Sequence, residues 1–266
     1  MPLNVWKAMQ MGWAGAKAIV LGGNIASLSL VFRPAITVRC CSEALFSYRA
    51  ISKRGRLREK RVFDVLPLNE VVSISLGKLR DGFSWFRSEG SYLVDLISLC
   101  MICRSLQPKT TFEIGTFNGY SAYEFALNSP DDAKIYSLDL PSAGHPSLKT
   151  TVSDDYLIDG REAESCAFHN TPEAKKINLL FGDSAAFDFS PYHGKIDFFF
   201  IDGAHSYEYV RSDTLNAIKC CHPGSVIAWH DFGRTGVNGV SRWLREFSKR
   251  REVYSVPGGS LAFTII

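Results

Sequence analysis

Phe112-Glu-Ile-Gly-Thr-Phe-Asn-Gly-Tyr-Ser121 is the stretch on which the fold turns. The apolar, threonine-bearing approach Thr110-Thr111-Phe112 leads into Glu113, and Gly115 and Gly119 follow before a helical run opens at Tyr120. This spacing predicts a strand, a tight glycine turn and a helix N-terminus. Glycine admits turn angles closed to other residues and lets a ligand approach the backbone. The free N–H groups of a helix start suit a carboxylate or phosphate. The dinucleotide fingerprint G-x-G-x-x-G is absent here, where the pattern is only G-x-x-x-G. A ligand smaller than a pyrophosphate is expected.

Working outward, four more apolar runs end in polar residues. Ile135–Leu138 ends at Asp139, Asn178–Phe181 runs into Gly182-Asp183-Ser184, Ile196–Ile201 ends at Asp202-Gly203-Ala204-His205, and Ser225–Trp229 ends at His230-Asp231. Near-continuous apolar runs suit strands buried on both faces, as parallel sheets require. Polar residues at the strand C-termini mark the edge where doubly wound sheets bind ligands. An acid after the second strand, roughly 20 residues past the glycine turn, is placed to accept hydrogen bonds from ribose hydroxyls. Glu252–Val256 and Ser260–Ile266, joined by Pro257-Gly258-Gly259, read as a hairpin.

Over about residues 90–266 this ordered set resembles the class I S-adenosylmethionine-dependent methyltransferases. It is most similar to the metal-assisted O-methyltransferases of the catechol and caffeoyl-CoA type and their antibiotic- and sugar-tailoring relatives. The resemblance rests on Glu113–Ala122, Leu138-Asp-Leu140, Gly182-Asp-Ser184, Phe200-Ile-Asp-Gly-Ala-His205 and Trp229-His-Asp231. It implies an α/β, Rossmann-like, doubly wound sheet of seven mostly parallel strands, closed by an antiparallel hairpin. It also implies S-adenosylmethionine as cofactor. Gly115 and Gly119 would shape its loop, with Glu113 at the methionine amino end, Ser121 near the carboxylate, Asp139 on the ribose, and Asp183 and Ser184 beside the adenine. Asp202, His230 and Asp231 fall where the family holds a divalent cation, which grips substrate oxygens and lowers a hydroxyl pKa. His230 departs from the usual acid. Magnesium prefers oxygen ligands, whereas imidazole suits manganese or iron better. His205 stands where the catechol enzymes carry a lysine. With a pKa near 6.5, a histidine there would serve as the base.

The implied activity is methyl transfer to a hydroxyl of a small molecule or sugar. A metal-dependent hydroxylase-type relative, a NAD-binding oxidoreductase and a non-catalytic partner protein of the same fold are alternatives. The G-x-x-x-G spacing and the hairpin disfavour the NAD reading.

The 266 residues carry a net charge of +3, unevenly spread. Residues 1–61 hold eleven Lys/Arg against two acids; the rest hold nineteen against twenty-five. Residues 1–66 are therefore expected to be a basic, partly apolar, helical extension, and residues 67–266 the catalytic domain. Ala18–Phe32 is uncharged but only 15 residues long, short for a bilayer span. Packing on the domain or on a second subunit, peripheral membrane contact, and targeting are all compatible with it. No nucleic-acid module accompanies the basic run. Seven irregularly spaced cysteines point to a reducing, cytoplasmic setting. Cys100 and Cys103 sit in the apolar helical run Tyr92–Leu106 and read as core thiols. Residues 141–176 form a long polar insertion with the character of a lid or substrate-binding segment.

Overall fold

The structure is a computed structural model. It describes residues 57–66, 90–141, 145–151, 154, 166–234 and 237–266. The chain divides into two compact units, Met1–Phe46 and Ser47–Ile266, and every described residue belongs to the second. The expectations for Ala18–Phe32, and for membrane or subunit contact through it, lie outside the described residues. Among the described residues, no helix is long and apolar enough to cross a membrane.

Each apolar run named above forms a strand. They are β2 (Thr110–Ile114), β3 (Lys134–Asp139), β4 (Ile177–Phe181), β5 (Ile196–Ile201) and β6 (Cys221–Trp229). The C-terminal hairpin supplies β7 (Tyr254–Ser255) and β8 (Ala262–Ile265). The expected seven strands are eight, because β1 (Arg58–Glu59) pairs parallel with β7 at the sheet edge. This strand comes from the basic segment assigned by sequence to the extension. The charged run Arg58-Glu59-Lys60-Arg61 hid a two-residue edge strand with both side chains in solvent.

The order across the sheet is β1-β7-β8-β6-β5-β2-β3-β4. The pairs among β2 to β6 are parallel, and β8 runs antiparallel to both β6 and β7. The chain winds from β2 to β3 and β4 on one side, then returns to β5 and β6 on the other. The winding reverses between β2 and β5, and in such sheets ligands bind at that crevice.

Alternation along β5 explains the two-sided core. Ile196, Phe199 and Ile201 join the cluster beneath α4 (Tyr207–Cys220) and α5 (Asn238–Phe247). Phe198 and Phe200 face α2 (Gly90–Leu106) and α3 (Tyr120–Asn128). The short α1 (Val62–Val65) adds Val62 to that second cluster. Phe112 of β2 stacks on Phe199 with ring centroids 5.0 Å apart, which ties the two strands that flank the crevice. Cys100 and Cys103 are buried free thiols, the latter pushed up to about 12 by burial.

Candidate active site

The glycine turn starts the site. Gly115 has φ +99°, and a Cβ there would lie 2.1 Å from the backbone oxygen of Asp202. The ends of β2 and β5 meet this closely only because residue 115 is glycine. Gly119 caps α3 in the left-handed region at φ +72°. Between them Phe117 also has positive φ, at +47°, and its side chain is 41% exposed. Its N–H donates to Oδ2 of Asp139 at 2.8 Å, so the acid at the end of β3 shapes the loop it faces. The other oxygen of Asp139 accepts the N–H of Leu140 at 2.8 Å.

Glu113 is fully buried, and both its oxygens accept hydrogen bonds, from the hydroxyls of Ser121 and Ser137. Burial drives its pKa up to about 8, and the nearby acids Asp202 and Asp139 push the same way. Ser121, expected near a methionine carboxylate, donates its hydroxyl to Glu113. Asp183 accepts from the N–H of Ala185 at 2.9 Å, an Asx-type turn, and from the hydroxyl of Tyr209 at 2.9 Å. A further donor is the N–H of Ser147 from the insertion. Asp183 thus ties three segments together, with the buried Ser184 beside it.

The second half of the site lies at the ends of β5 and β6. Asp202, His205 and Asp231 bring one ligand atom each to within 4.8 Å of one another. Asp231 adopts φ +63°, a backbone strain that concentrates at functional positions. His205 Nε2 lies 2.8 Å from Asp231 Oδ2, and His205 Nδ1 donates to Asp154 Oδ1 at 2.5 Å. Asp154 also accepts from the N–H and hydroxyl of Thr151 at 2.7 and 2.8 Å. Burial by itself would lower the His205 pKa, but the bonds to Asp154 and Asp231 outweigh it and raise the pKa to about 10. The residue expected to act as a base near pKa 6.5 thus lies between two carboxylates that favour its charged form. Both ring nitrogens face carboxylates.

His230 is just as enclosed. Its Nδ1 lies 3.2 Å from Oδ1 of Asp202 and 3.2 Å from Oδ1 of Asp231. Its Nε2 lies 3.3 Å from Oδ2 of Asp95 on α2. Asp95 is anchored in turn by the hairpin, accepting from Ser260 N–H at 2.8 Å, Ser260 Oγ at 2.7 Å and Leu261 N–H at 2.9 Å. Burial opposes the charge on His230, but Asp202, Asp231 and Asp95 together hold its pKa well above the usual value. Burial likewise opposes charge on Asp231, and the two histidines nevertheless hold its pKa well below the carboxylate range. Arg234 adds a bond to Asp231 Oδ1 at 2.8 Å.

Residues 112–232 match a family model described as a methyltransferase domain. That stretch, a little under half of the chain, is similar to methyltransferase domains. Its relatives include caffeoyl-CoA O-methyltransferase 2 of Petunia hybrida, 29% identical over 136 residues, 51% of this chain and 49% of that protein. Caffeoyl-CoA O-methyltransferase 3 of Nicotiana tabacum is 31% identical over 104 residues, 39% of this chain and 38% of that one. The chain thus spans half or less of the length of these two curated relatives. Among solved structures, the O-methyltransferase TomG from Streptomyces achromogenes has a TM-score of 0.48 at 20% identity, covering 65% of this chain and 79% of that one.

Within this matched stretch, the residues named from sequence fall into three groups. Glu113, Gly115, Gly119, Ser121 and Asp139 cluster around the turn after β2. Asp202, His205, His230 and Asp231 form the charged group beside it. Asp183 and Ser184 lie apart, against α4. Two contributors were not assigned a role from sequence. Asp95 carried a faint signal, as the single acid in the apolar run Tyr92–Leu106. Asp154 carried none that set it apart from the other acids of the insertion.

Proposed function

We propose that this protein transfers the methyl group of S-adenosylmethionine to a hydroxyl oxygen of a small molecule or sugar, with a divalent cation held at Asp202 and Asp231. The observation carrying this reading is the junction of Gly115 with Asp202, whose backbones touch across the sheet's reversal point. A cofactor seated on the turn after β2 would thereby lie next to the charged group after β5 and β6.

For the cofactor, Glu113 would accept the methionine ammonium and Asp139 the ribose hydroxyls. Gly115 and Gly119 keep the loop free of side chains. The donor chemistry of the second group fits a cation, since two carboxylates and an imidazole converge there. When bound, a divalent ion lowers the pKa of a coordinated hydroxyl and fixes its orientation. The remaining contribution is positional: in-line displacement is accelerated chiefly by holding the reacting atoms in place. Asp154 and Asp95 hold the two imidazoles. An acceptor with two adjacent oxygens, such as a catechol or vicinal diol, would suit this arrangement. The buried thiols support a reducing, cytoplasmic setting.

The experiment is to incubate the full chain with S-adenosylmethionine and a panel of catechols, hydroxycinnamoyl thioesters and sugars, and to read product mass with and without chelator. A gain of CH₂ that disappears with chelator supports the proposal. A gain of oxygen would favour a hydroxylase-type member. Absence of S-adenosylmethionine binding by calorimetry would overturn the reading.

A further inference from the structure

We propose that the histidine ligand of the cation site is His205, through Nε2, and that His230 is a positioning residue that bridges the two acids instead of binding the ion. This rests on the cation reading above, and it moves to His205 the ligand role that sequence position suggests for His230.

Three observations carry it. First, the atoms that converge within 4.8 Å belong to Asp202, His205 and Asp231. Second, the two oxygens of Asp231 are used differently. Oδ1 receives His230 Nδ1 at 3.2 Å and the Arg234 guanidinium at 2.8 Å, whereas Oδ2 faces His205 Nε2 at 2.8 Å. An ion on the Oδ1 side would sit beside the fixed charge of Arg234, and like charges at this range repel strongly. On the Oδ2 side, no fixed positive side chain stands in the way, and a cation would lie between that oxygen and His205 Nε2. Third, the buried carboxylate of Asp154 takes His205 Nδ1 at 2.5 Å. That leaves Nε2 as the ring atom directed at the acids. A carboxylate behind an imidazole fixes its tautomer and raises its basicity toward a metal.

His230 has the geometry of a bridge. Its Nδ1 is equidistant, at 3.2 Å, from Oδ1 of Asp202 and Oδ1 of Asp231. Its other nitrogen is turned to Asp95. One N–H shared between two carboxylates draws them together and fixes which oxygens remain for the ion. The resulting set of one imidazole and two carboxylates favours manganese or iron(II) over magnesium, which prefers oxygen alone.

The test uses Mn(II) as the probe on the full chain, without cofactor or acceptor, so it is independent of methyl transfer. Bound Mn(II) is examined by pulsed EPR for coupling to an imidazole nitrogen. That coupling is expected in the wild type and in His230→Asn, and is expected to vanish in His205→Gln. Asn at 230 keeps an N–H donor, so Mn(II) affinity should be retained there, while His230→Ala should lose it by about tenfold or more, the range seen for residues supporting ligands. Asp154→Asn should weaken Mn(II) similarly while keeping the nitrogen coupling. Far-UV circular dichroism checks that each variant is folded. Coupling that survives His205→Gln and disappears in His230→Asn would overturn the assignment. So would a wild type that binds Mn(II) without nitrogen coupling, or one that does not bind it.

Discussion

Asp154 and His205 stand 51 residues apart in the chain, yet the carboxylate of one accepts from Nδ1 of the other at 2.5 Å. The same carboxylate accepts the backbone N–H of His205 at 3.2 Å. The long insertion between β3 and β4 therefore does more than flank the crevice. It delivers a buried acid against the side chain at the end of β5, and that contact joins Asp231 in favouring the charged form of His205.

Removal of divalent ions should expose this charge in the pH dependence of stability. The His205 pKa rises from 6.5 unfolded to about 10 folded, so its stabilisation is complete below pH 6.5 and is lost as pH rises toward 10. Glu113, raised to about 8, and Asp213, a buried carboxylate raised to about 7, lose stabilisation in the lower part of the same climb. In chelator, the melting temperature should fall from pH 6 to pH 10. In His205→Gln the fall above about pH 9 should be shallower, because Glu113 and Asp213 have by then titrated and His230 alone continues the slope. An identical slope in both proteins would contradict the protonated imidazole.

Cofactor binding should release a proton. Glu113 is mostly protonated at pH 7, given a pKa of about 8. A methionine ammonium placed against it favours the charged form and lowers that pKa. Calorimetry in buffers of different ionisation enthalpy should report release of up to about one proton per S-adenosylmethionine at pH 7. Release should fade above pH 9 and be absent in Glu113→Gln. Unchanged release in that variant would place the ammonium elsewhere.

Asp139→Ala should weaken S-adenosylmethionine binding by about tenfold to a hundredfold, as expected for bonds to a charged acceptor worth roughly 1.5–3 kcal/mol. The variant also removes the carboxylate that accepts the N–H of Phe117, so the loop should exchange hydrogen faster at that position. Unaltered cofactor affinity would remove Asp139 from the ribose.

Gly239 opens α5 against the turn that carries His205. A Cβ at this position would lie 2.2 Å from the His205 oxygen and 2.3 Å from the Tyr207 nitrogen. Alanine normally gains about 1 kcal/mol over glycine inside a helix. Here overpacking should reverse that, destabilising the protein by about 1–3 kcal/mol and disturbing the cation site. Thermal melts and Mn(II) affinity would check both effects, and a stabilised variant would refute the contact.

The N-terminal boundary can be located by two truncations. Leu57 is buried in the core and Arg58–Glu59 pair with β7. Removing residues 1–56 should leave the sheet whole. Removing residues 1–60 should cost about 2–5 kcal/mol more, the range for deleting a buried leucine. Equal denaturation midpoints for the two truncated proteins would show that β1 contributes nothing.

The sequence by itself determined the architecture and the residues at its binding edge. Runs such as Ile196–Ile201 are too apolar for any place but a buried strand. Each ends in polar residues, and strand direction delivers them to one edge. Gly115 and Gly119 were legible because positive φ has few occupants other than glycine. Only the tertiary structure decided how that edge is charged. Asp95 and Asp154 come from a helix and an insertion far away in sequence, and no local pattern reports which carboxylate will meet which imidazole. Ion pairing in a buried site depends on distances of a few ångströms between elements, and those are fixed by packing. For the same reason, β1 escaped notice: its two solvent-facing residues carry no apolar periodicity, and only the neighbouring β7 makes them a strand.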